Sequence, residues 1–551
     1  KIYISAMWLH VLAICACAVI VSGRSTPDSL LVNIEQGPVL GYKPAQGGLY
    51  VFYNIPYATA PTGLSKFRPP LPPPTWTKPF EAVQRKIIMC PQGMPGWTNQ
   101  DNRILMQEDC LIANVYVPDT NAKNLPVVVY VHGGAYQLGH GTEMEPTTLV
   151  RTKKIVAVNF NYRVGAHGLL CLGTKRIPGN AGMKDQVALL RWVKKNIGQF
   201  GGNPNDVTID GWSAGASSVD LVMLSKMATG LFHKVIPESG SNTASFSVQI
   251  DPLTNAKNVA KELKFSDVDN LDALEKFFIN APIASLWSIN VISSKNHSVI
   301  FAPCIERDLG EEMFLDDHPV NILKSGDYPK VPMLYGIAEM EGIFRTGFFR
   351  FWRDTMNERF SDFFPEDLQF ANENEKNEVA RKVKQFYFGN EPISENNVLS
   401  YVDYFTDAMF GYGTAKAVQL QVEAGNDQIY LYKYGFTDES ENYIIHTNVR
   451  GATHCAQTIA VMDQGDESKL SVEYQRMKAV VRDLWGNFIT TGKPVPDGSL
   501  YLTWPPVGID REPYMYLNST LELRTSFLGD RARLWDDIYS KHFRSPIPPT
   551  A

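Results

Sequence analysis

The chain has 551 residues, long for one domain yet within the reach of a large α/β enzyme built on one mixed sheet. Hydrophobic residues make up 44% and charged residues 20%, which supports a sizeable core and excludes wholesale disorder and collagen-like repeats. With 52 basic against 58 acidic residues the net charge is −6, and no block of lysines or arginines suits phosphate tracking, so nucleic acid is not an expected partner.

In chain order, the run Met7 to Ser22 is apolar, shorter than a membrane span, and ends in small residues at Val21-Ser22-Gly23. It reads as a secretory signal peptide over residues 1–23, leaving one catalytic domain over 24–551 and no stable membrane anchor. The sequence starts at Lys1, so either Met7 is the true start or the extreme N-terminus is cut short. The C-terminal stretch Ser545 to Ala551 matches neither a retention signal nor a lipid-anchor tail, so release from the cell is expected. Asn296-His-Ser298 and Asn518-Ser-Thr520 are glycan acceptor triplets in keeping with that route.

Two of the seven cysteines, Cys15 and Cys17, leave with the signal, so the odd remainder holds at least one free thiol. Cys90 and Cys110 are close enough to staple a surface loop, worth about 3 kcal/mol by chain entropy. Cys171, Cys304 and Cys455 lie in apolar contexts and are expected to be buried unpaired thiols rather than metal ligands.

Buried-strand runs at Val127 to Val131 and Ile155 to Phe160 alternate with a helix-like stretch from Asp185 to Phe200. Further strands are predicted at Val331 to Gly336 and Gln428 to Tyr434, so one α/β sheet uses most of the chain. The charged, aromatic-bearing stretch of about 350–400 predicts a helical insertion over the sheet's edge that shapes a pocket.

Within this pattern, Gly211-Trp-Ser-Ala-Gly215 follows a strand and precedes a helix-like stretch, Ala216 to Leu224. A sharp strand-to-helix turn exposes a serine hydroxyl only if its flanking positions carry no side chain, which makes Ser213 the candidate nucleophile. The strand ending at Val131 runs into His132-Gly-Gly-Ala135, whose bare N–H groups suit a developing oxyanion; Gly133, Gly134 and Ala214 are the candidate donors. His132 precedes the serine and reads as structural. The order serine, acid, histidine leaves Glu339 or Glu341 as acid and His446, His454 or His542 as base, with spacing alone unable to choose.

These residues sit among a wider set of motifs: Ile55-Pro-Tyr-Ala58, Glu108-Asp-Cys-Leu111, Asn161-Tyr-Arg163, Pro178-Gly-Asn-Ala-Gly182, Phe200-Gly-Gly-Asn-Pro204, Glu238-Ser-Gly-Ser241, Glu341-Gly342 and Gly451-Ala-Thr-His454. On them, from about Asn33 to Phe543, the sequence resembles the carboxylesterase and cholinesterase family, with its nearest likeness to secreted insect esterases. The resemblance implies an α/β-hydrolase fold: a large, mostly parallel mixed sheet flanked by helices, with helical insertions shaping a gorge. It implies Ser213 as nucleophile, Glu341 as acid, His454 as base, and the family's first disulfide between Cys90 and Cys110. Trp212 and Tyr136 are expected to line the substrate pocket. No metal or cofactor is implied, and the partner is a small ester.

Departures from the family pattern carry information. Lys66-Phe67 replaces the usual Arg-Phe, so Glu108 is expected to face a point charge; Arg163 and Asp185 fall where the family has a second buried pair. Trp212 stands before the serine in place of Glu, His or Gln, and Cys455-Ala-Gln457 replaces the frequent Gly-Asp-Glu, two changes expected to alter the pocket's polarity. A cholinesterase-like choline site is not expected: the short Cys90 to Cys110 loop aligns Trp97 poorly. The expected activity is hydrolysis of neutral apolar esters by a secreted serine esterase, odorant or xenobiotic esters among them. The alternatives are an inactive adhesion ectodomain of the same fold and a specialised juvenile hormone esterase, against which Trp212 argues.

Overall fold

The computed structural model describes residues 29–93, 104–286, 294–463 and 465–550; the expected signal segment and Trp97 lie outside the described residues. The first strands are β1 (Ser29–Ile34), β2 (Gly37–Tyr42), β3 (Leu49–Pro56), β4 (Phe80–Glu81), β5 (Ile87–Met89), β6 (Ile104–Met106) and β7 (Ile112–Pro118). They are followed by β8 (Leu125–Val131), β9 (Val156–Phe160), β10 (Gly202–Trp212), β11 (Lys234–Glu238), β12 (Met333–Ala338), β13 (Ile429–Tyr434), β14 (Tyr514–Leu517) and β15 (Leu521–Arg524). The main sheet runs β1-β2-β3-β7-β9-β8-β10-β11-β12-β13-β14-β15, with β4 beside β2. From β9 through β8 and β10 to β14 every pairing is parallel. Antiparallel pairs close both edges.

A parallel strand is covered on both faces and is therefore apolar along its whole length. LPVVVYV in β8 meets that demand, and VAVNF in β9 does so but for Asn159, whose amide is paired with Asn114 and the Met144 carbonyl; neither strand has an exposed residue. Helices Ala181–Asn196 and Ala214–Leu224 cover one face, and helix Val472–Thr491 the other, giving two apolar layers. The predicted strands stand within two residues of the observed ones. The predicted 185–200 helix begins four residues earlier and finishes as a 3-10 turn, Ile197–Phe200.

The helical insertion is present as Phe349–Glu358, Glu373–Phe388 and Val398–Thr406, which runs through a π turn, Asp407–Gly411, into Tyr412–Glu423. It does more than cap an edge. The Gly342 N–H donates to Thr406 Oγ1 at 2.9 Å, and a Cβ on Gly342 would stand 2.2 Å from the Val402 carbonyl oxygen, so the insertion sits on the chain leaving β12.

Cys90 and Cys110 are bridged. The expectation for Cys171 and Cys304 is corrected: they form a second disulfide across 133 residues, leaving Cys455 as a free, buried thiol. An apolar context suits a buried cystine as well as a buried thiol, and a pairing this distant has no local signature. By chain entropy such a loop contributes about 5 kcal/mol. Glu108 does act on the Lys66 ammonium by its charge, as expected, but the two make no direct hydrogen bond. The Lys66 ammonium donates to the carbonyls of Ile279 and Gly63, while Glu108 accepts the Gly63 N–H, so the lysine reaches past the carboxylate to main-chain oxygens. Arg163 and Asp185 form the second pair fully buried, with Nε and Nη2 both donating to the carboxylate.

Candidate active site

Strand β10 ends in the turn that carries Ser213, whose backbone sits at φ 57°, ψ −123°, far outside helical or extended space. The turn is held by the Ser213 N–H donating to the Glu238 carbonyl at 2.8 Å and by the helix Ala214–Leu224 starting at once. Space accounts for the flanking glycines: a Cβ on Gly211 would lie 2.2 Å from the Gly215 carbonyl oxygen, and one on Gly215 2.1 Å from the Val131 carbonyl oxygen. The second approach presses the end of β8, and with it the 132–134 turn, against the serine.

Gly134 has φ +103°, and a Cβ there would strike the Leu138 carbonyl at 2.2 Å. A Cβ on Gly133 would stand 2.6 Å from the indole of Trp212, so that indole flanks the glycine turn beside the serine. Among the described residues neither Gly133 nor Gly134 gives its N–H to a main-chain carbonyl. Ala214, first in its helix, has no intrahelical acceptor for its own. The three N–H groups nearest Ser213 in these turns thus have no main-chain acceptor among the described residues.

The His454 Nε2 lies 2.8 Å from the Ser213 Oγ, and His454 Nδ1 lies 2.5 Å from Glu341 Oε2. Glu341 is fully buried, and its other oxygen accepts the Ala338 N–H at 2.7 Å, which fixes the carboxylate. A main-chain bond from Met340 N–H to the Ala452 carbonyl ties the acid's loop to the base's loop. The His454 ring packs 4.4 Å from Phe410, on the π turn, and 5.3 Å from Phe344. These two rings had no signature in the sequence.

The rejected candidates stand elsewhere. Glu339 accepts from the Tyr516 hydroxyl, His446 faces Glu395 at 3.6 Å, and His542 packs on Phe370. His132 stacks on Tyr162 at 4.3 Å and gives Nδ1–H to the Gly133 carbonyl; burial pushes its pKa down to about 3 and keeps it neutral. Its role is structural.

Tyr136 is wholly buried, with its hydroxyl toward Ser217 and Ser218 of the helix that follows the serine. Cys455 and Gln457, next along the chain from the histidine, are buried too. Cys455 adopts φ 63°, the left-handed region that a glycine enters without strain.

A model described as the carboxylesterase family matches residues 28–535. Venom carboxylesterase-6 of Apis mellifera is 30% identical over 537 residues, covering 94% of this chain and 94% of its own. Esterase FE4 of Myzus persicae is 30% identical over 528 residues, covering 91% of this chain and 90% of its own. Among solved structures, the juvenile hormone esterase of Manduca sexta, with OTFP covalently attached, superimposes with a TM-score of 0.80 at 26% identity, over 93% of this chain and all of that one. With an α/β-hydrolase sheet, a strained serine turn and these relatives along its whole length, the chain belongs to the carboxylesterase family and is a carboxylic ester hydrolase.

Proposed function

We propose that Ser213, His454 and Glu341 are the catalytic triad and that the substrates are neutral, apolar esters. The observation that carries the reading is the unbroken chain of short hydrogen bonds from Ser213 Oγ through the imidazole to a buried carboxylate. His454 takes the serine proton as Oγ attacks the ester carbonyl, and Glu341 holds the imidazole in the tautomer with Nδ1 protonated. The N–H groups of Gly133, Gly134 and Ala214 stabilise the tetrahedral oxyanion, and the imidazolium returns its proton to the departing alcohol. Water then repeats the sequence on the acyl-enzyme, giving the acid and free serine. An inactive binding ectodomain would not need this geometry, and juvenile hormone specificity would be a narrower case that Trp212 disfavours.

The preference for uncharged esters rests on what surrounds the serine. Trp212 occupies the position next to it, where a carboxylate would favour a cationic alcohol. Phe344 and Phe410 wall the histidine with apolar rings. An indole face attracts a cation by about 0.5 to 2 kcal/mol, whereas each buried methylene gains about 0.8 kcal/mol, so an apolar alcohol of several carbons outweighs the charge. The kcat/KM for 3,3-dimethylbutyl acetate is therefore expected to equal or exceed that for acetylcholine, its charged isostere. A preference of more than about tenfold for the choline ester would refute this specificity.

The mature protein is proposed to be secreted after loss of residues 1–23. Asn518, half-buried in the β14–β15 turn, and Asn296, also half-buried, are the proposed sugar sites. N-terminal sequencing of protein from the medium is expected to start shortly after Gly23, with a mobility shift on glycosidase treatment. An intact N-terminal run in the membrane fraction would contradict it.

A further inference from the structure

On the face of the sheet covered by helix Val472–Thr491, directly behind the serine turn, two carboxyl groups are buried together. The parallel register of β10 and β11 sets Asp210 opposite Ile236 and Trp212 opposite Glu238, so Asp210 and Glu238 fall on one face of neighbouring strands. Neither is more than 1% exposed. They lie close enough for each to act on the other's charge, an arrangement that two buried carboxyl groups tolerate when one carries a proton. Burial and their mutual charge hold that proton far above the ordinary carboxylate range. The groups around them do not offset the charge: Tyr130 on β8, Tyr432 on β13 and the Cys455 thiol are all kept neutral by burial, and Glu341 is an acid. Arg482 and Asp463 act on Tyr130 from the outer side of this layer.

The Glu238 carboxylate has two further donors. The Thr458 hydroxyl donates to it at 2.8 Å from helix Ala456–Val461, and the Trp485 indole N–H at 3.3 Å from helix Val472–Thr491. Its main-chain carbonyl accepts the Ser213 N–H at 2.8 Å. The next residue repeats the tie, the Ser239 hydroxyl accepting from the Gln457 side chain at 2.7 Å. Helix Ala456–Val461 starts two residues after His454, so one buried residue grips the nucleophile's turn with its backbone and the base's helix with its side chain.

We infer that Glu238 is a positioning residue that holds Ser213 and His454 in register, with Asp210 on the neighbouring strand as the donor beside it. Neither touches substrate, and the inference rests on the triad proposed above. A donor at 210 is what counts, so Asp210→Asn, whose amide can donate, keeps kcat within about threefold, while Asp210→Leu leaves a buried carboxylate one donor short. Asp210→Leu and the isosteric Thr458→Val are each expected to lower kcat about tenfold or more with KM little changed, since small misplacement of reacting groups carries that penalty.

The test compares these three variants with Ser213→Ala in the full-length enzyme, using circular dichroism and Tm to score folding and a neutral acetate as substrate. Loss in Asp210→Leu and Thr458→Val with rescue in Asp210→Asn supports the clamp. Normal kcat in both Asp210→Leu and Thr458→Val, or in folded Thr458→Val alone should the leucine variant not fold, overturns it while a dead Ser213→Ala leaves the triad standing. Equal loss in Asp210→Asn and Asp210→Leu also overturns it. An active Ser213→Ala instead brings down the triad itself.

Discussion

Replacing Ser213 with alanine is expected to lower kcat by about five orders of magnitude, because members of a triad act as a unit and only oxyanion donors and binding remain without the nucleophile. The fold survives the change. The turn is held by main-chain bonds from Ser213 N–H to Glu238 and from Ser217 N–H to Ser213, and by the space that Gly211 and Gly215 leave, none of which involves the hydroxyl. Steady-state kinetics beside circular dichroism decide the matter. A folded alanine variant with near-normal turnover would contradict the assignment.

The second large effect belongs to the base. His454→Ala removes the proton acceptor and is expected to match the serine variant in loss, whereas His446→Ala and His542→Ala keep near-normal kcat/KM. The distances account for the contrast: His454 alone of the three lies against Ser213 Oγ, while His446 faces Glu395 and His542 packs on Phe370. The base must be neutral to work, so kcat/KM falls as acid protonates it. His132 and His140, held down to about 3 and about 4 chiefly by burial, are neutral throughout that fall and do not contribute to it. Activity surviving in folded His454→Ala, or lost in either of the other two, would refute the choice.

How far a residue's role is legible in the amino-acid sequence depends on the range of the forces involved. A strand-to-helix turn with a serine between glycines is a local steric demand written within five residues, and so is the glycine turn after β8. The strands are legible because burial on both faces leaves runs rich in β-branched and aromatic residues with only single polar interruptions such as Asn159 and Asp210. Choosing between Glu339 and Glu341 lies beyond spacing. The two are separated by one residue, and only the turn into a 3-10 segment at Glu341 points one into the site and leaves the other with Tyr516. The family likeness supplies that choice.

What stays hidden depends on residues far apart in sequence. The Cys171 to Cys304 bridge spans 133 residues and is packed against Gly179, where a Cβ would touch both sulfurs. Lys66 resembles a substitute for arginine, yet its single ammonium is drawn to the Ile279 carbonyl, which a guanidinium fork anchored on a carboxylate would not follow. Phe344 reaches His454 from the 3-10 segment after β12 and Phe410 from the insertion, and Asp210 reads as one more residue of a strand. Each of these requires the tertiary arrangement for its role to have a physical meaning.

The most direct measurement is the site of covalent capture. Incubation with a fluorophosphonate ester, followed by peptide mapping of the inactivated enzyme, is expected to give one adduct per chain on the peptide carrying Ser213, with activity lost in proportion to labelling. Full inactivation with the adduct on another residue, such as Ser217 or Ser239, or stoichiometric labelling of Ser213 with activity intact, would contradict the account.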